Sequence, residues 1–120
     1  FPEKMDPKQR VYLNKGIVIK HHVNYATDGL SSAIVKTILD KAGVERQDYC
    51  NHSDVRCGGT IGLMTSANLS MNAADIGLAQ LAMHSAVETV GAKDIDKMHD
   101  CVKAFFETKF SRNGSTVTID

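Results

Sequence analysis

The first half of the chain places a short apolar run before an amphipathic stretch. Residues 17–19 are a β-branched run entered from a turn-like segment, which predicts a buried strand over Gly16 to Lys20. After a polar bend, Thr27 or Asp28 can cap a helix that Gly43 ends. Its apolar residues recur at three- and four-residue spacing: Leu30, Ile34, Ile38 and Leu39. That spacing predicts a helix with one buried stripe.

The second half continues the alternation of strands and helices. We expect a strand over Gln47 to Ser53, a helix from about Thr60 to Leu69 and a third strand over Asn72 to Gly77. A loop through Ala79 then leads to His84. Strands that alternate with helices predict an α/β sandwich with a mostly parallel sheet.

Two more helices are predicted near the C-terminus, a short one over Ser85 to Val90 and the strongest of the chain over Asp94 to Phe110. The apolar residues of the stronger helix share one face: Ile95, Met98, Cys101, Val102, Phe105 and Phe106. Asp94 stands in the first turn, where an acid complements the helix dipole. We expect one domain over residues 1–110 and a short strand or loose tail over residues 111–120.

The composition of the chain argues against several kinds of partner. Lysine plus arginine and aspartate plus glutamate both total 14 among 120 residues, and neither sign forms a long run, so nucleic acid is not an expected partner. No apolar stretch is long enough to span a membrane, and no membrane partner is expected. The three cysteines, odd in number and widely spaced, suit reduced thiols and predict a cytoplasmic location. Because the chain opens with Phe1 rather than methionine, we expect a fragment or a processed product.

His84 is the best-placed candidate for chemistry. It stands where a loop enters a predicted helix, beyond the end of a predicted strand, and ligands of α/β sheets gather at the carboxyl ends of strands. Such a histidine suits a metal or a proton transfer. From position alone, a structural role remains open.

Each of three further groups of residues has two explanations, a functional one and a purely structural one. Cys50, His52 and Cys57 are close in sequence, but their spacing matches no common zinc site, and a half-buried strand with a reduced thiol is the alternative. Residues 57–60, Cys-Gly-Gly-Thr, suit either an anion seat at a helix start or tight packing. Residues 20–25 hold a lysine, two histidines and a tyrosine, which form either a polar site or a solvated strand end.

Three sequence blocks, taken in order, resemble the C-terminal part of the aspartyl aminopeptidase and aminopeptidase I family. They are Asp54 with Cys57-Gly58-Gly59-Thr60-Ile61-Gly62, then Asp75-Ile76-Gly77, then Gln80-Leu81-Ala82-Met83-His84-Ser85. The earlier Gly16-Ile17-Val18-Ile19-Lys20 and Tyr25-Ala26-Thr27-Asp28 look like the family's strand, bend and helix start. The resemblance covers Phe1 to about Glu107. Leu63 and Ala79 depart from it, because the family usually has proline at both positions, and the two loops lose a rigid φ.

The resemblance implies a fold and a site. It implies part of a zinc exopeptidase catalytic domain, a three-layer α/β sandwich, in an enzyme that assembles into a homo-oligomeric dodecamer. Two zinc ions hold a hydroxide there, a glutamate is the general base, and a peptide substrate is held by its amino end. By this resemblance His84 is a metal ligand, while Lys20 and Tyr25 bind substrate.

The resemblance also limits what this chain does alone. The other zinc ligands and the base lie in family segments that precede Phe1, so no catalytic acid or base is assigned here and the chain is expected to need the remainder of the catalytic domain. A lysine such as Lys20 predicts preference for N-terminal Asp or Glu. The alternative is a non-catalytic α/β fragment, or a degenerate relative that acts only in subunit association.

Overall fold

The computed structural model describes residues 1–120 and shows a mixed α/β arrangement. Its elements, in chain order, are a 3-10 turn at Pro2–Lys4, β1 Ile17–His21, α1 Gly29–Ala42, β2 Arg46–Cys50, α2 Ile61–Leu69, β3 Ile76–Gly77, β4 Gln80–Leu81, β5 Thr89–Val90, α3 Ala92–Glu107, β6 Phe110–Asn113 and β7 Thr116–Ile119. The predicted α/β class is confirmed.

The main sheet has three strands in the order β2-β1-β3. β1 and β2 are parallel, with Lys20 beside Tyr49, whereas β3 runs antiparallel to β1. The sheet is therefore mixed, and the prediction of a mostly parallel sheet holds only for its first pair. The reason lies in α2, which has no buried residue and so does not pack on the sheet as a crossover helix. Without that crossover the chain enters β3 in the opposite direction.

One face of β1 carries the core. Ile17 and Ile19 pack with Leu39 of α1, with Cys101 of α3 and with Val44, which lies between α1 and β2. All five residues are buried. Side chains alternate along a strand, so Val18 and Lys20 emerge on the opposite face. α1 and α3 thus form one helix layer, and α2, which has no buried residue, does not supply the predicted third layer.

The ends of α1 are confirmed, because local hydrogen bonds define both. The Asp28 carboxylate accepts from the Ser31 backbone N–H at 2.7 Å, and the Ser31 hydroxyl accepts from the Asp28 N–H at 2.9 Å. This reciprocal capping box holds the pKa of Asp28 below its ordinary value, chiefly through the backbone bond from Ser31. Gly43 ends the helix in the left-handed region, at φ 69°.

Asp94 ties α3 to the loop that enters β1. Its side chain is 0% exposed and accepts backbone hydrogen bonds from Asn14 at 2.6 Å and Gly16 at 2.9 Å. The loop also needs a glycine, since Gly16 has φ +99° and a Cβ there would lie 2.0 Å from the Glu45 carbonyl oxygen. The sequence assigned Asp94 only to the helix dipole, and the structure adds this tie.

Two boundaries near the C-terminus differ from prediction. α3 ends at Glu107, because Thr108 leaves the helical conformation at φ −74° and ψ 131°, and Phe110 already belongs to β6. Residues 111–120 are neither a single strand nor a loose tail, since β6 and β7 form an antiparallel hairpin. The Lys41 ammonium donates to the Ile119 carbonyl at 2.6 Å and joins the hairpin to α1.

The predicted helix over Ser85 to Val90 is wrong. β4 and β5 pair instead as a short antiparallel hairpin that holds residues 82–88 in its loop. Residues 85–88 form bends and an irregular loop, and Thr89–Val90 belong to β5, so no helix follows His84. Just before this segment, Ala82 and His84 turn the chain with positive φ, at 56° and 70°. None of the chain's helices has the length and apolar content needed to cross a membrane.

An apolar groove of about 490 Å³ lies between α1, α3 and the segment before β3. Its walls include Ile34, Met71, Val102 and Phe105. Phe106 on the rim is 80% exposed, so the predicted apolar face of α3 is only partly buried within this chain.

Candidate functional site

A cavity of about 440 Å³ opens on the face of β1 away from α1 and α3. Lys20, Tyr25 and His84, the three residues that the resemblance assigns to a site, all line it. Its other walls come from β1, β2, the N-terminal segment and the chain after β3: Phe1, Lys4, Met5, Val11, Val18, Tyr49, Leu78, Ala79, Gln80, Leu81, Ala82 and Met83. Segments up to 83 residues apart in sequence, from Phe1 to His84, thus meet at one opening.

Lys20 reaches this cavity because strand alternation points it away from the core. Its backbone N–H donates to the Asp75 carbonyl at 2.9 Å, which fixes the strand end. Its side chain then crosses Gly77, where a Cβ would lie 3.1 Å from the lysine Cε and 3.3 Å from Nζ. Nζ stands 6.0 Å from the centre of the Tyr25 ring, at the outer limit of a cation–π contact. Gly77 therefore leaves the space that the lysine uses.

Tyr25 is held by contacts on both sides of its ring. Its backbone N–H donates to the His22 carbonyl at 3.0 Å, and the His22 ring meets the tyrosine edge-on at 5.7 Å between ring centres. Its hydroxyl lies 2.9 Å from Cys57 Sγ. Burial, and next the bond to Cys57, raise the pKa of Tyr25 well above its ordinary value. The phenol therefore keeps its proton at physiological pH, and in the bond with Cys57 either the phenol or the thiol can be the donor.

Asp75 joins the segments that carry Lys20 and Tyr25. Its carboxylate Oδ2 accepts from the Ala26 N–H at 2.7 Å, and its own N–H donates to the Thr27 hydroxyl at 2.7 Å. A Cβ on Gly62 would lie 2.8 Å from the same carboxylate oxygen. The sequence placed Asp75 in a motif without a role, and its partners about 50 residues away leave no local signal.

His84 lies in the loop of the β4–β5 hairpin. Its backbone N–H donates to the Glu88 carboxylate, which also accepts from the Gln80 side-chain amide. Glu88 thereby fixes the left-handed turn at His84, where φ is 70°. Sequence reasoning missed Glu88 because it assumed a helix there.

The residues of this chain do not complete a zinc site by themselves. No three of its His, Cys, Asp or Glu residues stand close enough to hold a metal ion together. His84 offers one nitrogen donor, whereas catalytic zinc takes three protein ligands. A zinc site that used His84 would therefore need its other ligands from outside these residues.

Two of the open alternatives now have structural answers. Cys57 bonds to Tyr25, and the His52 ring lies 4.0 Å from the Asp54 carboxylate, so Cys50, His52 and Cys57 form no metal group. The neighbouring glycines are not explained by tight packing, since a Cβ on Gly58 would meet nothing within 4 Å. The glycine of this block that does pack closely is Gly62, against Asp75.

The polar group at the end of β1 divides between the two faces of the sheet. Lys20 and Tyr25 line the cavity, whereas His21 Nε2 lies 2.9 Å from Asp48 on the helix face. Lys36 of α1 approaches the same carboxylate at 2.8 Å. Burial would raise the pKa of Asp48, but the hydrogen bonds from Lys36 and His21 outweigh it and the pKa is lowered.

Comparison with known proteins supports the resemblance drawn from the sequence blocks. A "Probable M18 family aminopeptidase 2" of Mycobacterium tuberculosis (strain ATCC 25618 / H37Rv) is 38% identical over 113 residues, 92% of this chain and 26% of that protein. A "Probable aspartyl aminopeptidase" of Ricinus communis is 34% identical over 122 aligned residues, 100% of this chain and 25% of that protein. The chain thus spans about a quarter of the length of the curated relatives it matches.

The fold agrees as well. The crystal structure of aminopeptidase I from Clostridium acetobutylicum superposes with a TM-score of 0.76 at 27% identity, covering 88% of this chain and 25% of that one. The model of the aminopeptidase I zinc metalloproteases (M18) matches residues 1–106, most of the chain, and the chain therefore belongs to this family of peptidases.

Proposed function

We propose that this chain is the part of a zinc-dependent aminopeptidase that receives the N-terminal residue of a peptide and supplies one zinc ligand. The observation that carries the proposal is the meeting of Lys20, Tyr25 and His84 at one cavity of about 440 Å³. They come from three different segments, and the resemblance of the sequence blocks assigns each of them to a site. The family membership supports peptide hydrolysis.

Lys20 is proposed to read an acidic side chain. It is the lysine of β1, its stem is packed over Gly77, and its ammonium points past Tyr25 into the cavity. A fixed ammonium at a partly enclosed opening favours a carboxylate through a charge-assisted hydrogen bond. The neutral Tyr25 phenol offers a second donor beside it. N-terminal Asp and Glu are therefore the proposed substrates.

His84 is proposed as a ligand of one of two zinc ions. Zinc, when bound, polarises the scissile carbonyl and lowers the pKa of a bound water. This chain's part is to hold the imidazole at the mouth of the cavity, and the bond from the His84 N–H to Glu88 fixes the backbone that carries it. Its remaining ligands and the general base are proposed to lie outside these 120 residues.

The apolar groove supports a further partner, the remainder of the catalytic domain. Thirteen of the 15 residues that line the groove are hydrophobic, and exposed apolar patches of this kind mark protein contacts. We propose that the rest of the domain covers it and supplies the third layer of the sandwich. A homo-oligomer, a dodecamer by the resemblance, is proposed for the whole enzyme, and its cytoplasmic location stays a prediction.

The test compares three substrates that differ only in their N-terminal residue, Asp, Glu or Leu, on the protein expressed from its complete gene. Lys20→Met should lower kcat/KM for the Asp and Glu substrates by roughly 10- to 150-fold, the worth of a charged hydrogen bond, and leave the Leu substrate nearly unchanged. Lys103→Met is the matched control, since Lys103 is an exposed lysine of α3. Equal losses on all three substrates would mean that Lys20 does not read the acidic side chain.

A second candidate is a non-catalytic module that acts only in subunit association. The exposed apolar groove and the single metal ligand favour it. The same assay decides between the two, because a protein from the complete gene that hydrolyses none of the substrates with zinc supplied is not an aminopeptidase.

A further inference from the structure

We propose that Asp75 is a positioning residue for substrate selection, holding Lys20 and Tyr25 at a fixed separation across the cavity. The inference rests on the proposed function, because it concerns the two residues proposed to receive the N-terminal side chain. Asp75 itself does not line the cavity, so its effect must pass through the backbone.

The first link is between Asp75 and the end of β1. The Asp75 carbonyl accepts from the Lys20 N–H at 2.9 Å, immediately before β3 begins. This bond extends the β1–β3 ladder by one step beyond the pairing of Ile19 with Ile76. It fixes the backbone from which the lysine side chain leaves.

The second link is between Asp75 and the residue after Tyr25. Carboxylate Oδ2 accepts from the Ala26 N–H at 2.7 Å, and hydrogen bonds to an ionised acceptor are stronger than neutral ones. The bend that carries Tyr25 has no regular secondary structure to define it. The Asp75 carboxylate thus accepts a backbone hydrogen bond from the bend, as a neighbouring strand would in a sheet.

Two further contacts keep Asp75 itself in place. Its N–H donates to the Thr27 hydroxyl at 2.7 Å, so the residue is bonded on both sides of the bend. Gly62 of α2 lies against the carboxylate, where any Cβ would stand 2.8 to 3.1 Å from its three terminal atoms. The glycine therefore leaves room for the carboxylate in the position that Ala26 requires.

The separation of Lys20 and Tyr25 matters because both must meet one side chain. A substrate carboxylate gains from the ammonium and the phenol together only when the two donors converge, and small misplacements are costly in such sites. A neutral N-terminal residue uses neither donor fully. Loss of the Asp75 link should therefore reduce discrimination between substrates more than it reduces turnover itself.

The experiment measures a selectivity ratio, kcat/KM for an Asp-terminated substrate divided by kcat/KM for a Leu-terminated one, on the protein expressed from its complete gene. A loss of folded or active enzyme lowers both values equally and leaves the ratio unchanged. Asp75→Ala removes the acceptor, and Gly62→Ala displaces the carboxylate without removing it. Asp75→Asn keeps a carbonyl oxygen for Ala26. Gly29→Ala is the control, because a Cβ there meets nothing within 4 Å.

We expect Asp75→Ala and Gly62→Ala to lower the ratio about tenfold, the lower end of the range for a charged hydrogen bond. Asp75→Asn should retain most of the ratio, and Gly29→Ala all of it. If the wild type prefers Asp and depends on Lys20 while Asp75→Ala and Gly62→Ala keep the wild-type ratio, the inference is wrong and the proposed function stands. A wild type that has no acidic preference overturns the proposed substrate class and this inference together.

Discussion

Asp94→Ala should be the most damaging single change in the part of the chain that supports the site. The substitution removes a fully buried carboxylate that accepts two backbone hydrogen bonds, from Asn14 at 2.6 Å and Gly16 at 2.9 Å. Alanine offers no acceptor in return. The two N–H groups therefore lose their partners in the loop that leads into β1.

The magnitude follows from the two bonds. Each hydrogen bond to a charged group is worth about 1.5 to 3 kcal/mol, so the loss of both amounts to about 3 to 6 kcal/mol. Small domains have about 5 to 15 kcal/mol of stability in total, so a substitution of this size removes a large share. Asp94→Asn keeps one acceptor oxygen and should lose about half as much.

The assay is urea unfolding followed by circular dichroism, with Asp96→Ala as the matched control. Asp96 is two positions away on α3 and exposed, so its removal should change the unfolding free energy by less than about 0.5 kcal/mol. Hydrogen exchange at the Asn14 and Gly16 amides gives a local readout, since both should lose protection in Asp94→Ala. An Asp94→Ala protein that unfolds within about 1 kcal/mol of Asp96→Ala would refute the reasoning.

Two further predictions concern the zinc ligand and the pH dependence of the unfolding free energy. In the protein expressed from its complete gene, His84→Ala should lower the zinc content and abolish activity, while Cys50→Ser should keep both; elemental analysis that finds full zinc in His84→Ala would contradict the ligand assignment. Asp48 has a lowered pKa, so its contribution to stability is present above the ordinary aspartate pKa and is lost as pH falls through the lowered one. Asp48→Asn should therefore be less stable than wild type at neutral pH, with the difference shrinking in acid, and a pH-independent difference in unfolding free energy would count against this account.

Prediction from sequence succeeded where short-range interactions decide the structure. α1 begins and ends where its capping residues stand, because Asp28 bonds to Ser31 three residues later and Gly43 adopts positive φ at low cost. The strand over residues 17–19 was recognisable because three β-branched residues follow one another, and Ile17 and Ile19 are buried against both helices. These signals lie within a few residues of the structure they determine.

Prediction failed where the deciding contact is distant or has no compositional mark. The segment after His84 is a hairpin loop rather than a helix because Thr89 and Val90 pair with β4. The turn into this loop uses positive φ at Ala82 and His84, although neither is glycine or asparagine. The bond from Tyr25 to Cys57 spans 32 residues, and the bond from Ala26 to Asp75 spans 49. No local sequence pattern predicts such pairs, so the motif blocks gave candidate site residues without revealing which contacts hold them.

The register of β1 connects the core with the site. Ile17 and Ile19 face the helices while Lys20 faces the cavity, because side chains alternate along the strand. A slip of one residue would turn Lys20 into the apolar core and an isoleucine into the cavity, so the burial of the two isoleucines also enforces the direction of the lysine. Asp94 holds the start of this strand and Asp75 holds its end. The position of the ammonium is thus determined by two carboxylate-bearing residues that never touch it, and by an apolar face on the other side of the sheet.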